Sequence, residues 1–351
     1  MLYINGRFLT QPMTGVNRYA YSLCKAMVDL GYSLTLICPN KPFQKDYDTT
    51  GLQIIRFGWG GSHLWEQCVL PFFFIGKKHY HIMSFTGLGS ILIPNKIMTI
   101  HDLAFLKNPS WYSKAYYWYY KLMTPLAVKT SKHIITVSHF SKEEILRFYP
   151  FLKRERISVV HNAIDQQLFN HHADIPQSKE RFALCVSSID PRKNFARLIE
   201  ACQDISDAKL YIVGNYNRVF SKQKELESTS NHIQFIGRVS DQELVKLYNQ
   251  AECFIFPSLY EGFGLPPLEA MACGCPILVS DIPVEREVCG DAAMYFNPLD
   301  PNEILRTITQ YLNSDDVIKE TMRQKGFANI MRFSWEKSAK EVMKIIDTIS
   351  E

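Results

Sequence analysis

Short apolar runs rich in β-branched residues alternate with helical patterns along the chain, and this alternation limits the possible folds more than any other feature. In the first half, strands are predicted at 1–6, 33–39, 52–58, 81–85, 97–102 and 133–138, with 157–162 as a further candidate. In the second half, they are predicted at 182–188, 209–214, 233–237, 253–257, 276–280 and 293–297. Alternating strands and helices favour parallel, doubly wound sheets, so we predict an α/β fold with two Rossmann-like domains in tandem.

The helical patterns and the chain length define the expected domains. Helices are predicted at 16–30 and 141–149 in the first half, and at 194–206, 241–250, 266–273, 301–313, 315–331 and 335–350 in the second. A chain of 351 residues is too long for one typical core. We expect an N-terminal domain over 1–165, a polar linker over 166–181, a C-terminal domain over 182–332, and a final helix within 333–351 that can cross back to the first domain.

Charge is distributed unevenly between the two halves. Residues 1–165 carry 19 Lys/Arg against 9 Asp/Glu, a balance of +10, whereas the remaining residues carry 20 against 26, a balance of −6. We therefore expect the two domains to bind different partners.

Composition excludes several classes of protein. The chain is 46% hydrophobic and 21% charged, which is typical of a globular protein. No apolar run reaches the roughly 18 residues that a transmembrane helix needs, and the N-terminus lacks the pattern of a signal peptide. The nine cysteines form no C-x-x-C pair, which favours buried thiols in a reducing compartment. These observations predict a cytoplasmic protein.

The stretch EGFGLPPLE, residues 261–269, follows the predicted strand at 253–257. In open α/β sheets, ligands bind beyond the carboxyl ends of strands. The helix that begins near Gly264 can offer amides and the positive end of its dipole to a phosphate. Glu261 and Glu269 can accept hydrogen bonds from hydroxyls on either side of that phosphate, which suits a nucleotide sugar. The alternative, in which Glu269 only favours the helix dipole and Glu261 is solvated, stays open.

Two other strand ends carry candidate side chains. Arg192 and Lys193 follow the strand at 182–188, where they can neutralise a pyrophosphate or form an ordinary basic surface pair. His101 and Asp102 end another strand. The imidazole can donate to a substrate hydroxyl or ring oxygen while Asp102 orients it, or it can be a structural histidine.

Two weaker signals lie near the N-terminus. Gly15, in TGVNR, opens a helix and would let backbone approach a phosphate closely. The Asp-Tyr-Asp run at 46–48 resembles a metal-binding Asp-x-Asp, but it lies in a polar loop away from an apolar strand end. We therefore expect no metal.

Residues 103–142 contain no acidic residue. They contain six lysines and the aromatic run WYSKAYYWYYKLM at 111–123. Lysine with Trp and Tyr on an amphipathic segment suits an anionic membrane surface. A core-packing aromatic helix with a solvated lysine edge is an equally good interpretation. No RNA-binding signature accompanies this segment, so we expect no nucleic-acid partner.

Several motifs together resemble the retaining glycosyltransferases of family 4, in particular a mannosyltransferase-like subgroup of polysaccharide and O-antigen biosynthesis. The resemblance covers nearly the whole chain. The motifs that carry it are TGVNRYAYSL (14–23), IHDL (100–103), VSHFSKEEI (137–145), VVHNAIDQQLF (159–169), PRKN (191–194), IVG (212–214), FIGRVSDQELVKLYNQAECFIFPSLYEGFGLPPLEAMACGCPILVSD (235–281) and GDAAMYFNPLD (290–300). It implies the GT-B fold, in which two Rossmann-like domains face each other across a deep cleft. The basic N-terminal domain would bind the acceptor and the C-terminal domain the donor.

The resemblance also implies roles for individual residues. Glu269 would accept from the ribose hydroxyls, and Glu261 would contact the transferred sugar. Lys193 matches a phosphate-binding lysine, and His101 matches a histidine that touches the donor sugar near the reacting centre. The remaining donor-binding positions are the backbone at Phe263, Gly264 and Leu265, the loop at Gly15, and the base-contacting segment at Gly237 and Arg238.

Departures from the family pattern leave one phosphate contact open. Many members carry Gly-Arg where this chain has Ser187-Ser188, so we expect Arg192 to compensate for the arginine that Ser188 replaces. HNAID at 161–165 has Ala163 where glycine is common, which stiffens the hinge.

The expected activity is metal-independent hexosyl transfer with retention of configuration, without a cofactor. The donor would be GDP-mannose, with UDP- and dTDP-sugars as alternatives, and the acceptor would be lipid-linked or an oligosaccharide. The protein would lie peripherally on the inner face of the plasma membrane. The alternatives are a sugar-nucleotide epimerase of the same fold and a non-catalytic sugar-nucleotide-binding protein.

Overall fold

A computed structural model describes residues 1–350, apart from 177, 179, 189, 204, 206–207 and 215–231. The chain divides into two compact units, Met1–Ala163 with Phe333–Glu351, and Ile164–Arg332. Residues 166–181, predicted as a linker, are grouped with the second unit. That predicted linker and the predicted helix at 194–206 include residues 177, 179, 204 and 206, which lie outside the described residues.

The first unit is built on a seven-stranded parallel sheet with the order β3-β2-β1-β4-β5-β6-β7. Its strands are β1 Leu2–Asn5, β2 Thr35–Cys38, β3 Gln53–Arg56, β4 His81–Ser84, β5 Lys96–Ile100, β6 Ser131–Thr136 and β7 Ile157–Val159. The helices here are α1 Gly15–Asp29, α2 Ser62–Leu64, α3 Leu70–Phe73, α4 Ala104–Lys107, α5 Lys114–Thr130 and α6 His139–Phe148. Shorter 3-10 turns cover Gly6–Thr10, Pro109–Trp111 and Arg154–Arg156, and a π-helical turn covers Trp65–Val69.

The second unit is built on a six-stranded parallel sheet with the order β10-β9-β8-β11-β12-β13. Its strands are β8 Phe182–Val186, β9 Lys209–Val213, β10 Ile233–Gly237, β11 Cys253–Phe256, β12 Ile277–Ser280 and β13 Ala293–Phe296. The helices described here are α7 Phe195–Cys202, α8 Asp241–Gln250, α9 Leu265–Ala272, α10 Pro283–Cys289, α11 Pro301–Leu312 and α12 Asp316–Ile330, with a 3-10 turn at Pro191–Lys193.

The final helix, α13 Trp335–Ser350, belongs to the first unit, where it packs against α1. The rings of Tyr19 and Trp335 meet edge to face at 5.8 Å. Ser338 Oγ donates a hydrogen bond to the carbonyl oxygen of His161 over 2.8 Å. The first unit is therefore assembled from both ends of the chain.

Both sheets have the strand order of doubly wound folds. Strand order reverses at β1, between β2 and β4, in the first unit and at β8, between β9 and β11, in the second. At such reversals the loops leaving adjacent strands diverge and open a crevice at the carboxyl edge of the sheet. The predicted α/β class with two Rossmann-like domains is confirmed.

No helix among the described residues combines the length and the apolar character needed to span a membrane.

Candidate functional site

A buried ion pair lies at the carboxyl edge of the second sheet. Glu261 is in the loop that follows β11, and Lys193 ends the 3-10 turn that follows β8. The side chains are nearly inaccessible, with residue exposures of 7% and 8%, and Lys193 Nζ donates to Glu261 Oε1. Arg192 approaches from the same turn, its Nη1 3.6 Å from Glu261 Oε2. Two residues 68 positions apart in sequence are thus brought into direct contact.

The charges in this cluster determine its protonation. Burial by itself would raise the pKa of Glu261, but the charges of Lys193 and Arg192 outweigh burial and hold that pKa below its ordinary value. Arg192 is also anchored by Asp190, whose Oδ1 accepts from the Arg192 main-chain N–H over 3.0 Å. At neutral pH the cluster therefore presents an ionised Glu261 beside two cations.

Gly264 determines how the chain passes from Glu261 into α9. Its φ of +93° lies in the left-handed region, which glycine adopts at little cost, and it supplies no capping side chain to the helix. Pro266 and Pro267 fit the first turn because the amide hydrogens they lack would be unpaired there. The remaining amides at the helix start, those of Gly264 and Leu265, are therefore the two N–H groups that can be directed toward an anion.

Glu269 lies four residues into α9, apart from the Lys193 pair. Its Oε2 accepts a hydrogen bond of 3.2 Å from the hydroxyl of Tyr248 on α8. Tyr248 is completely buried, so this bond anchors the Glu269 carboxylate to the interior of the unit. Glu269 itself is half-buried. The two glutamates therefore have different surroundings.

The other residues of the second unit that were predicted to bind the donor lie in loops and at element ends. Gly237 ends β10 with a φ of +81°, next to an irregularity in the pairing with β9. Arg238 follows it and is exposed. Ser188 Oγ donates to Asp190 Oδ2 over 3.1 Å. Phe263 is buried, and Leu265 is partly exposed at the start of α9.

His101 lies at the end of β5 in the first unit. Its Nε2 is 2.7 Å from the carbonyl oxygen of Phe85, and its ring meets that of Tyr19 at 5.0 Å. A carbonyl oxygen can only accept a hydrogen bond, so the ring proton lies on Nε2. Burial lowers the pKa of His101, and the Phe85 contact and the charge of Asp102 oppose that shift only in part. The ring is therefore neutral, with Nδ1 as an acceptor.

This geometry limits how His101 can contact a ligand. The sequence left open whether His101 donates to a substrate or is a structural histidine, and in the structure its N–H is used by Phe85. Any polar contact of the ring with a ligand must instead use Nδ1 as the acceptor. Asp102 Oδ1 accepts from the main-chain N–H of Ala104 over 3.0 Å and so supports the start of α4.

A cavity of about 150 Å³ adjoins His101. It is lined in part by Val16, Thr86, Thr99, Tyr116 and Tyr120. Thr99 is 1% exposed, and its hydroxyl has no hydrogen-bond partner in the part of the chain that the structure describes. The cavity thus combines aromatic walls with an unused hydroxyl. Gly15 begins α1 one residue before Val16, and Thr14 caps that helix by accepting from the Asn17 N–H.

The Asp-Tyr-Asp run does not form a cluster of carboxylates. Asp48 is exposed, pairs with Lys25 at 3.6 Å and accepts from the main-chain N–H of Thr50. Tyr47 between the acids is buried against Phe8. Asp48 therefore has a basic partner and a main-chain partner within the first unit.

Sequence reasoning missed two residues near the second-unit cluster. No sequence pattern marks Tyr248, which lies on α8, because its role comes from its contact with Glu269 and that contact is visible only in the structure. Glu285 on α10 is wholly buried and lies against Gly264. The position of α10 directly after β12 is the one signal that could have pointed to Glu285.

Comparison with known proteins decides the family. Residues 13–168 match the model described as Glycosyltransferase Family 4, and residues 168–348 match the one described as Glycosyl transferases group 1. The chain belongs to the group 1 glycosyl transferases. The resemblance inferred from the motifs of this glycosyltransferase is therefore confirmed.

Two curated relatives of this glycosyltransferase cover much of its length. O-antigen chain mannosyltransferase RfbU of Salmonella typhimurium is 34% identical over 60% of this chain and 58% of its own length. O-antigen chain mannosyltransferase B of Escherichia coli is 31% identical over 68% of this chain and 67% of its own length. The chain thus aligns with between about half and two thirds of these relatives.

A solved structure shows the same fold at lower sequence identity. Sucrose-phosphate synthase from Thermosynechococcus elongatus superposes with a TM-score of 0.79 at 19% identity, over 99% of this chain and 98% of that chain. At this identity the likeness concerns the fold alone.

Proposed function

We propose that this glycosyltransferase moves a mannosyl residue from GDP-mannose to a hydroxyl of a lipid-linked or oligosaccharide acceptor in O-antigen assembly, with retention of anomeric configuration. The observation that carries the proposal is the buried cluster of Lys193, Arg192 and Glu261 at the carboxyl edge of the second sheet. The names of the relatives, both O-antigen mannosyltransferases, support the choice of sugar and pathway. The epimerase and the non-catalytic binding protein have no comparable support.

The cluster suits the departure of a nucleotide diphosphate. When an anionic donor binds, its phosphate oxygens become further partners of Lys193 and Arg192, which otherwise pair with Glu261. Both cations can then stabilise the negative charge that develops on the leaving group. Glu261 can accept from hydroxyls of the transferred sugar. The amides of Gly264 and Leu265 add positive potential without a metal ion.

The other site residues complete this proposal. Glu269, held by Tyr248, is positioned to accept from the ribose diol. Gly237 and Arg238 would contact the base, and Gly15 would allow backbone to approach the diphosphate. His101 would accept from a sugar hydroxyl through Nδ1.

The choice of nucleotide can be tested by thermal shift. A ligand that binds only the folded state stabilises it by about 2.7 kcal/mol at a concentration one hundred times its dissociation constant. We expect GDP to raise the melting temperature by about 5–10 °C and to exceed UDP and dTDP at equal concentration. Guanosine, which lacks the phosphates, is the control and should have little effect. A larger shift with UDP or dTDP would reassign the base, and no shift with any diphosphate would contradict a nucleotide-sugar donor.

The exposed face of α5 supports a membrane-associated acceptor. Trp118, Leu122 and Leu126 recur at helical spacing and are 61%, 65% and 41% exposed. Lys121 Nζ lies 4.8 Å from the centre of the Trp118 ring. The opposite face is buried and includes Ala127. The helix thus packs on the core with one face and presents an aromatic and basic face outward, and this outward face supports the membrane interpretation.

Liposome binding tests this face. We propose that it rests on the anionic inner surface of the plasma membrane, where each lysine contributes about 1 kcal/mol. In a triple variant, the exposed Lys114, Lys121 and Lys129 are each replaced by glutamine. Its affinity for phosphatidylglycerol vesicles, measured by co-sedimentation, should fall about a hundredfold, and its affinity for GDP should stay unchanged.

The matched control removes the same number of charges elsewhere. Lys246, Lys337 and Lys344 are also exposed, and their replacement with glutamine should change vesicle binding far less. Equal losses in both triple variants would indicate that net charge, not this helix face, drives the association.

A further inference from the structure

Glu285 places a second carboxyl group beside the proposed donor site. It lies on α10, it is fully buried, and its side chain packs against Gly264. A β-carbon at Gly264 would lie 2.8 Å from Glu285 Oε1 and 3.2 Å from Oε2. Cys289 Sγ donates to Oε2 over 3.4 Å, whereas Oε1 has no hydrogen-bond partner among the described residues. A buried carboxylate with so few partners would be costly.

The groups that face Glu285 come from four elements. Glu261 and Lys193 act on its carboxyl from the loops that follow β11 and β8. Cys289 is one turn further along α10, and the Tyr295 hydroxyl on β13 donates to the Glu285 main-chain oxygen over 3.4 Å. Burial first, and then the charge of Glu261, raise the pKa of Glu285 to about 8. Glu285 is therefore mostly uncharged at pH 7 while Glu261 is ionised.

The charge state of Glu285 changes the balance around Lys193. With Glu285 uncharged, the two cations Lys193 and Arg192 face two carboxylates, Glu261 and Asp190. With Glu285 ionised, a third carboxylate acts on Lys193. An anionic donor must then enter a site with an excess of negative charge.

We propose that Glu285 is a positioning residue of the donor site, whose uncharged carboxyl leaves Lys193 available to an anionic nucleotide sugar and whose ionisation weakens donor binding. This inference rests on the proposed function. Glu285 is buried and acts through Lys193 and Glu261, and it touches no substrate. It therefore sets a pH range for donor binding without contributing a contact.

Donor affinity against pH is the direct test. Donor binding favours the uncharged form, so affinity should fall as pH rises through the pKa of Glu285. Isothermal titration with GDP-mannose should show about a fivefold loss between pH 6.5 and 9, the part reached by pH 9 when that pKa rises by about one unit on binding. Each phosphate of GDP-mannose carries a single, strongly acidic hydroxyl, so the charge of the diphosphate stays constant over this range.

The nearest alternative groups do not titrate in this window. Burial raises the pKa of Cys289 well above its ordinary value and also raises that of Tyr295. The variant Glu285→Gln keeps the shape and removes the titration. It should bind GDP-mannose at pH 6.5 as wild type does and retain that affinity at pH 9. The control Glu200→Gln, at an exposed position on α7, should keep the wild-type profile.

Thermal stability gives a second readout that needs no nucleotide. Between the ordinary pKa of 4.5 and the folded value of about 8, the folded protein holds a proton that the unfolded chain has released. Stability should therefore fall as pH rises through this window and level off above it. The melting temperature of Glu285→Gln minus that of wild type should grow from pH 5 to pH 8 and then stay constant.

The outcomes separate this inference from the proposed function. A Glu285→Gln affinity profile that coincides with wild type would overturn the role of Glu285 while leaving the glycosyltransferase proposal intact. Absence of binding by GDP-, UDP- and dTDP-sugars to wild type at pH 6.5 would overturn both. If Glu285→Gln does not fold, infrared difference spectra of the wild type still show whether Glu285 is protonated. The carbonyl band of its protonated carboxyl should be present at pH 6.5 and disappear as the pH rises through about 8. Its absence at pH 6.5 would overturn the inference.

Discussion

Replacing Lys193 with methionine is expected to abolish sugar transfer and to lower the free energy of unfolding by about 3 kcal/mol. Removing one partner of a buried ion pair costs about 3–5 kcal/mol, because the remaining charge is left uncompensated. The lower figure applies here since Arg192 still lies 3.6 Å from Glu261 Oε2. Transfer is lost because the cation that would meet the leaving diphosphate is gone. Chemical denaturation and release of labelled sugar to acceptor measure the two effects.

A double variant separates the two effects of Lys193. Lys193→Met combined with Glu261→Gln removes both charges and should recover most of the lost stability but none of the activity. The control Arg154→Met breaks an exposed pair with Glu143 and should change stability far less. Wild-type turnover in Lys193→Met would refute the assigned role, and an unrecovered double variant would show that the stability loss comes from packing.

The second large effect concerns the two glutamates of EGFGLPPLE. Glu261→Gln should lower kcat at least a hundredfold with a small effect on the affinity for GDP, because in the proposed function Glu261 contacts the transferred sugar and not the nucleotide. Glu269→Gln should weaken GDP binding about tenfold to a hundredfold, the value of one or two hydrogen bonds to a charged acceptor, with kcat at saturation little changed. Titration calorimetry with GDP and steady-state kinetics measure the split.

Tyr248→Phe is the matched control for Glu269. It removes only the hydroxyl that donates to Glu269 Oε2 and should weaken GDP binding by a few-fold. If Glu261→Gln weakened GDP binding and Glu269→Gln lowered kcat, the two assignments would have to be exchanged.

The strands were predictable because their signal is local. Each predicted strand corresponds to one in the structure, since an apolar, β-branched run between turn residues is recognisable within about eight positions. Ends were less accurate. The candidate at 157–162 ends as Ile157–Val159, because its pairing with β6 stops at Val159 and the chain beyond is irregular.

The candidate site was predictable residue by residue but not as a set of contacts. The loop positions of Glu261 and Lys193 followed from the rule that parallel strands end at one edge of a sheet. Their direct pairing did not, because it joins loops after β8 and β11, which become neighbours only through the reversal of strand order. Glu285 was missed for a related reason. In IPVEREV it reads as one of several charges on a short helix, and only the packing against Gly264 makes it distinctive.

The location of α13 has a consequence for synthesis of the chain. The face of α1 that receives α13 is complete only after residue 335 has left the ribosome, and the whole second unit is made in between. At about 5–20 residues per second, synthesis of the 169 residues Ile164–Arg332 delays the packing of α13 on α1 by roughly 10–30 s. During this interval the nascent first unit carries an open apolar surface around Tyr19. The first unit, although it begins the chain, is therefore the last to be finished, and the second can fold ahead of it.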